Sequence, residues 1–459
     1  VLLGSGTSAI TALNVTADGA MLVGDGSTDP VAESGATLRT SIGVGTTDDV
    51  KFANITGSNN ISASGDLLIT GNISGSSNLG ANGDLYIGGN ITASGGLTGV
   101  TGISLSNNDS GTSNTIFGNL AGAAGLSGGE NNVLIGDNAG NDLTSGDQNV
   151  IIGHQAGDAL VGGEDNTFIG QAAGGATTAG DEMVIIGRNA GAGVITDAAI
   201  GAVLVGHSAG AALTSGAGNL AVGYKAAAAL TTAPGNTIVG FQAMDIANTA
   251  QYNTVMGWNA MGGVPASQVV EYVVAIGTEA CLGTASTTSG IAGTIAIGEG
   301  AGKALTTGAH NSMIGYLCGD AVNTGTGNVL MGRHAGGSLT SQDYNTHIGW
   351  YCGDAATAAN TVAVGAGALG GVATQTGTVA VGYNALTALT SGVGNTAVGS
   401  GSLAKMTTSG QNTAVGTATM TQLVDGDQNT AVGYHALHSG THTSFNFNTL
   451  VGAYAGDSF

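Results

Sequence analysis

Asn395-Thr396-Ala397-Val398-Gly399 decides how this chain is read, because it returns. The same five residues stand at Asn412-Thr413-Ala414-Val415-Gly416 and at Asn429-Thr430-Ala431-Val432-Gly433, and looser copies run back to Asn114-Thr115-Ile116-Phe117-Gly118. The closing glycine falls at 118, 136, 153, 170, 187, 206, 223, 240, 257, 277, 298, 315, 332, 349, 365, 382, 399, 416, 433 and 452. Gly136, Gly153 and Gly170 are 17 residues apart, as are Gly382, Gly399, Gly416 and Gly433, and no step is shorter than 16. A fixed period of this size marks a solenoid, in which each repeat is one coil that buries its apolar side against its neighbours.

Counting from each glycine gives the positions of a coil. The residue before it is large and apolar, as in Ile135, Ile152, Val398, Val415 and Val432. Two further back stands nearly always Val, Thr, Leu, Ile or Ser. Alternate residues of a strand share a face, so these two form one side. The other side carries Ile151, Phe168, Ala221, Ala397, Ala414 or Ala431, together with an asparagine in most coils, such as Asn395, Asn412 and Asn429. A strand apolar on both faces is expected to be covered on both. A flattened coil has one interior, so the second face calls for copies of the same chain, which fits closed cyclic symmetry. Beyond the glycine, the third residue is small (Ala139, Ala385, Cys318, Cys352) and the fourth is either Gly or large (Gly140, Gly157, Leu386, Leu403). Turn residues such as Thr390-Ser391-Gly392 close the coil.

Composition narrows the alternatives. Eighty-five glycines with three prolines exclude collagen, and 42% hydrophobic residues oppose disorder. The net charge of −22, with seven basic residues, argues against a nucleic-acid partner or an anionic membrane surface. No run of 18 apolar residues exists, so no membrane insertion is expected. Val1 opens neither with Met nor with a signal-peptide pattern, which reads as a trimmed chain. Cys318 and Cys352 occupy the same coil position two coils apart, about 10 Å, too far for a disulfide.

Three segments follow from these patterns. Residues 1–46 read as a Gly/Ser/Thr-rich connector with short strands. Residues 47–107 carry a weaker repeat of about 18 residues, with Asp49, Asp66 and Asp84 before apolar stretches and Asn54, Asn72 and Asn90 behind them. Residues 108–459 form the main array of about 20 coils, on the order of 95 Å long.

The repeat resembles the head repeats of YadA-like trimeric adhesins, whose motif runs Ser/Asn-Val-Ala-Ile-Gly. It is more similar to the Asn-Thr-Ala-Val-Gly-Tyr-x-Ala-Leu repeats of phage tail fibres, carried here by Asn395 to Gly399 and by Gly382-Tyr383-Asn384-Ala385-Leu386. The resemblance covers residues 114–459. It implies an all-β, left-handed parallel β-roll or β-solenoid, intertwined or side by side in a homotrimer, within a surface-exposed, host-binding virion fibre. It also implies other tail or baseplate proteins and a host cell-surface glycan or protein as partners. The coil is longer than in the adhesin heads and no membrane-anchor region follows, so the phage reading stands ahead of a bacterial surface adhesin.

Candidate chemistry is sparse. Aromatic residues collect just after the repeat glycine: Tyr224, Phe241, Trp258, Tyr316, Trp350, Tyr383 and Tyr434. On consecutive coils they form a ladder, readable as a platform for sugar rings or as surface stacking that stiffens the shaft. Glu130, Asp147, Glu164 and Asp181 form an acidic row that suits Ca²⁺ or simply solvated turns. His347 is the one histidine on the inward strand, readable as an ion ligand on a threefold axis or as a hydrogen-bonded core residue. No nucleophile–base set and no singled-out acid pair suggests catalysis, and no cofactor is expected. The expectation is a non-enzymatic, adhesive virion fibre, with a tailspike depolymerase as the distant enzymatic alternative.

Overall fold

The computed structural model describes residues 113–457 apart from 266–269, 284–289 and 439–444, together with six short strands nearer the N-terminus. The chain divides into two units, Val1–Thr101 and Gly102–Phe459. In the first, β1 (Leu2–Leu3) pairs antiparallel with β2 (Thr11–Ala12), and β3 (Met21–Val23) pairs antiparallel with β4 (Val31–Glu33). β5 (Leu67–Ile69) pairs in parallel with β6 (Leu85–Ile87), Leu67 opposite Leu85, at the 18-residue step of the weaker repeat. The rest of the connector, and Asp49, Asp66, Asp84, Asn54, Asn72 and Asn90, lie outside the described residues.

The second unit is a parallel β-solenoid of about 19 turns with about 17 residues per turn. Its strands, β7 (Thr115–Phe117) to β26 (Thr449–Val451), are each three residues long and stack in one ladder. Every rung is in register with its counterpart one coil on, as in Thr396 opposite Thr413, Ala397 opposite Ala414 and Val398 opposite Val415. Among the described residues a single 3-10 turn, Asp197–Ala199, occupies one of the longer coils.

The repeat glycine is dictated by the stacking. Gly136 has φ +135°, a region that L side chains rarely adopt, and a Cβ there would lie 2.6 Å from the carbonyl oxygen of Gly153. The same crowding against the next coil recurs at Gly399 and Gly416. A side chain at this point would push neighbouring coils apart and break the ladder.

The strand's two faces have different fates. Its middle residue is buried in every described coil except the last, and Asn395, Asn412 and Asn429 are buried with it. The Asn/Ala side is therefore the interior. The asparagines form a saturated polar spine. Asn412 Oδ1 accepts the backbone N–H of Asn429 at 2.9 Å and its Nδ2 at 3.0 Å, while Asn412 Nδ2 donates to Gly426 O at 2.7 Å. Amides so partnered cost little to bury, whereas an unpaired one costs about 1–3 kcal/mol. The other face is half-buried by its own chain in most coils and reaches 36–37% exposure at Val398, Val415 and Val432.

The interior is filled by a volume exchange between two positions. Early coils put a large residue in mid-strand and Gly four residues after the repeat glycine: Leu134 with Gly140, Ile151 with Gly157, Leu204 with Gly210. Late coils reverse it: Ala380 with Leu386, Ala397 with Leu403, Ala414 with Met420. A Cβ on Gly157 would come within 2.9 Å of the Phe168 ring, and one on Gly210 within 2.7 Å of Leu204. Either position can supply the bulk in these coils; the middle coils depart from the exchange, burying Ile238 with Met244 and Val255 with Met261.

The apolar core falls into two clusters, one from Ile116 to Leu339 and one from Cys352 to Leu437. Between them lies β20 (Thr346–Ile348), whose middle residue is His347.

Candidate functional site

The residue after each repeat glycine points outward, as counting from the motif predicts. His207, Tyr224, Phe241 and Trp258 stack on four consecutive coils, with centroid separations of 5.3, 5.0 and 6.5 Å and interplanar angles of 24°, 14° and 11°. The ladder exists, but its rings are stacked like coins. The inner rings, Tyr224 and Phe241, are covered by neighbouring rings on both faces, and the end rings, His207 and Trp258, on one.

A second group is arranged differently. Arg333 lies between two rings, 5.6 Å from the Tyr316 centroid and 5.4 Å from that of Tyr351, a cation–π sandwich. Tyr351 also stacks on His334 at 4.9 Å and takes Trp350 edge-on at 4.9 Å. Trp350 and Tyr383 are 57% and 62% exposed, and Tyr434 packs edge-on against Tyr454. A further exposed row comprises Tyr252, Tyr272, Tyr344 and Phe447, each five residues before its repeat glycine, with Tyr252 and Tyr272 stacked at 5.6 Å. Counting backwards from the glycine would have found it. The 20-residue step between Tyr252 and Tyr272 hides it from a search at period 17.

The acidic row has a structural role. Asp147 Oδ1 accepts the N–H of Glu130 at 2.7 Å, and Asp181 Oδ1 accepts that of Glu164 at 2.9 Å. Asp343 and Asp427 repeat the contact with Thr326 and Gly410. Each carboxylate ties its turn to the preceding coil. Among the described residues, no three His, Cys, Asp or Glu side chains are placed to share a metal ion.

The His347 ring is fully enclosed by its own chain, as the core reading of this residue expects. The Thr361 hydroxyl donates to Asn345 Oδ1 at 2.6 Å, so His347 Nε2 must carry the hydrogen it shares with Thr361 Oγ1 at 2.8 Å. Nδ1 is then a bare acceptor, buried without a partner. Burial pushes the imidazole pKa down to about 4. Cys281, Cys318 and Cys352 are free and buried, each thiol pushed up to about 12 by desolvation.

A groove of about 430 Å³ crosses the turns at Val393, Gln411, Gln428 and Phe447, with Asp427 the one carboxylate along it. Glycoside hydrolysis with two carboxylates has no pair to work with there. Among the described residues no helix is long and apolar enough to cross a membrane. No protein-family model, curated protein or solved structure matches the chain.

Proposed function

We propose that the chain is the shaft of an adhesive fibre, a virion tail fibre that assembles as a side-by-side homotrimer and presents its outward rows to a host-surface glycan. It works by shape and contact, without catalysis. The observation that carries this reading is the outer strand face. In all twenty strands of the ladder the two residues flanking the mid-strand position are uncharged, and most are Val, Ile, Leu, Met or Thr. Their own chain leaves this ribbon half-buried in most coils and exposed at Phe117, Met331, Val398 and Val451. In a chain of net charge −22, a charge-free apolar strip of that length is a surface to be covered. Each coil is completed by one chain, so copies would pack as neighbouring solenoids. The repeat's likeness to phage tail-fibre motifs supplies the virion and host parts of the reading.

The test is the native mass of the purified chain, followed by negative-stain imaging of the source particle with a labelled antibody. A threefold mass and label on the tail are expected. A single-chain mass at micromolar concentration defeats the assembly, and label elsewhere on the particle, or on a bacterial surface, defeats the tail-fibre assignment.

A further inference from the structure

Arg333 has aromatic rings where other cations of the chain have oxygen partners. At the two positions after the repeat glycine, three consecutive coils carry Tyr316–Leu317, Arg333–His334 and Trp350–Tyr351. Backbone hydrogen bonds fix that register: His334 N–H donates to Tyr316 O at 3.0 Å and Tyr351 N–H to Arg333 O at 2.9 Å. The guanidinium is held over Tyr316 from one neighbouring coil, at 5.6 Å, and over Tyr351 from the other, at 5.4 Å. Lys303, by contrast, pairs with Glu279, and Lys405 donates to Gln422. Among the described residues Arg333 joins no ion pair. The chain has 29 acidic residues and seven basic ones, so an exposed arginine left without a carboxylate is not for want of candidates. Ring faces meet the charge of a guanidinium and leave its N–H fork without an acceptor.

We propose that this patch binds a hexuronic acid residue of a sparsely charged glycan, with Arg333 taking the sugar carboxylate and Trp350 meeting the C–H groups of the chain. The proposal rests on the glycan-presenting reading of this surface and names the sugar class. A guanidinium matches a carboxylate with two parallel N–H···O bonds, and its fixed fork loses little freedom in making them. Tyr316 and Tyr351 set the position of that fork before any ligand arrives, and Tyr351 is itself stacked on His334 at 4.9 Å. Such preorganisation lowers the entropy lost on binding. Trp350 stands at 81° to Tyr351, so its face is turned across the stacking direction, and the ring is 57% exposed. It is the apolar surface next to the cation, which favours a sugar acid over a bare anion. The net charge of −22 repels a dense polyanion at long range, so the ligand that this one contact charge can hold is one whose carboxylates are spaced by neutral sugars.

The experiment uses the full chain with Trp258→Phe, which keeps a ring in the stacked ladder and makes Trp350 the sole tryptophan. Hyaluronan tetrasaccharide, in which glucuronate alternates with a neutral sugar, is titrated while binding heat and Trp350 emission are followed. Chitotetraose supplies a neutral comparison, and acetylated, amidated Gly-Glu-Gly-Glu supplies the same charge without a sugar. Saturable binding of the hyaluronan oligomer is expected, with both comparisons weaker by about tenfold or more. Arg333→Gln should weaken it by about tenfold or more. Arg188→Gln, at the same coil position elsewhere in the array, should bind as the parent and shows that the loss belongs to this patch. Absence of binding, or equal affinity in Arg333→Gln and parent, overturns the proposal. Equal affinity for the peptide makes the patch a site for acidic protein segments and overturns the sugar. Equal affinity for chitotetraose overturns the acid while leaving the glycan-presenting reading standing. That reading falls separately, on the native mass and the antibody label.

Discussion

At the residue scale the chain is governed by its glycines and asparagines, and they do different work. Gly399 combines φ +138° with a carbonyl of the next coil where a Cβ would sit, whereas Gly401 has φ +64° and open space around it. Gly401→Ala therefore meets only the left-handed backbone cost, about 1 kcal/mol. Gly399→Ala meets a backbone collision as well and should cost about 3 kcal/mol or more. Urea midpoints of the two variants check this, and equal shifts would show that stacking does not set the glycine. The glycine period was legible because it marks a steric requirement repeated in every coil. Which strand face turns inward was not legible from hydrophobicity, which points the wrong way. The outer face is Val and Ile, while the inner one is Ala and Asn in the late coils. Asn is inside because each amide finds its partners one coil away, a fact of stacking that no single coil displays.

At the element scale, the late coils share their interior volume between two positions, as Ala397 and Leu403 do. Ala397→Ile alone overfills the space beside Leu403 and should cost about 1–3 kcal/mol. Leu403→Gly alone opens a cavity and should cost about 2–5 kcal/mol, less the relief of a left-handed leucine at φ +52°. The double variant copies the early coils and should lie nearer the parent than the sum of the two, with a coupling of about 1 kcal/mol or more. Additive denaturation energies would refute the exchange. Both halves of the pattern are visible in the sequence; their coupling needed the packing. The coil of His347 adds a pH term. Its folded pKa is below the ordinary 6.5, so the unfolded chain binds the proton more readily. Stability from the neutral ring is complete above pH 6.5 and falls as pH drops towards 4, by up to about 3 kcal/mol. No Asp, Glu, Lys or Arg is buried among the described residues to compensate that charge. His347→Leu should flatten the melting temperature between pH 6.5 and 4.5. A slope unchanged by the substitution would assign acid sensitivity to the surface carboxylates.

At the scale of the whole molecule, the balance is between a charge that keeps chains apart and a strip that draws them together. The repulsion of −22 per chain acts over the screening length, about 8–10 Å in ordinary salt, and weakens as salt rises. The outer strand face acts at contact and carries no charge to be screened. Association through that face should therefore tighten with salt, the reverse of an assembly held by ion pairs. Val398, Val415 and Val432 lie at the same position on three consecutive coils, and changing all three to Lys sets three cations on the strip without touching the interior. The chain should keep its far-UV circular dichroism, since the mid-strand Ala397, Ala414 and Ala431 and the asparagine spine are unaltered. Its native mass should fall to that of one chain, because burying three unpaired ammonium groups per copy costs several kcal/mol for each. A variant that keeps the multi-chain mass would place the contact on some other face, and the aromatic rows, the remaining apolar exterior, would be next to carry it.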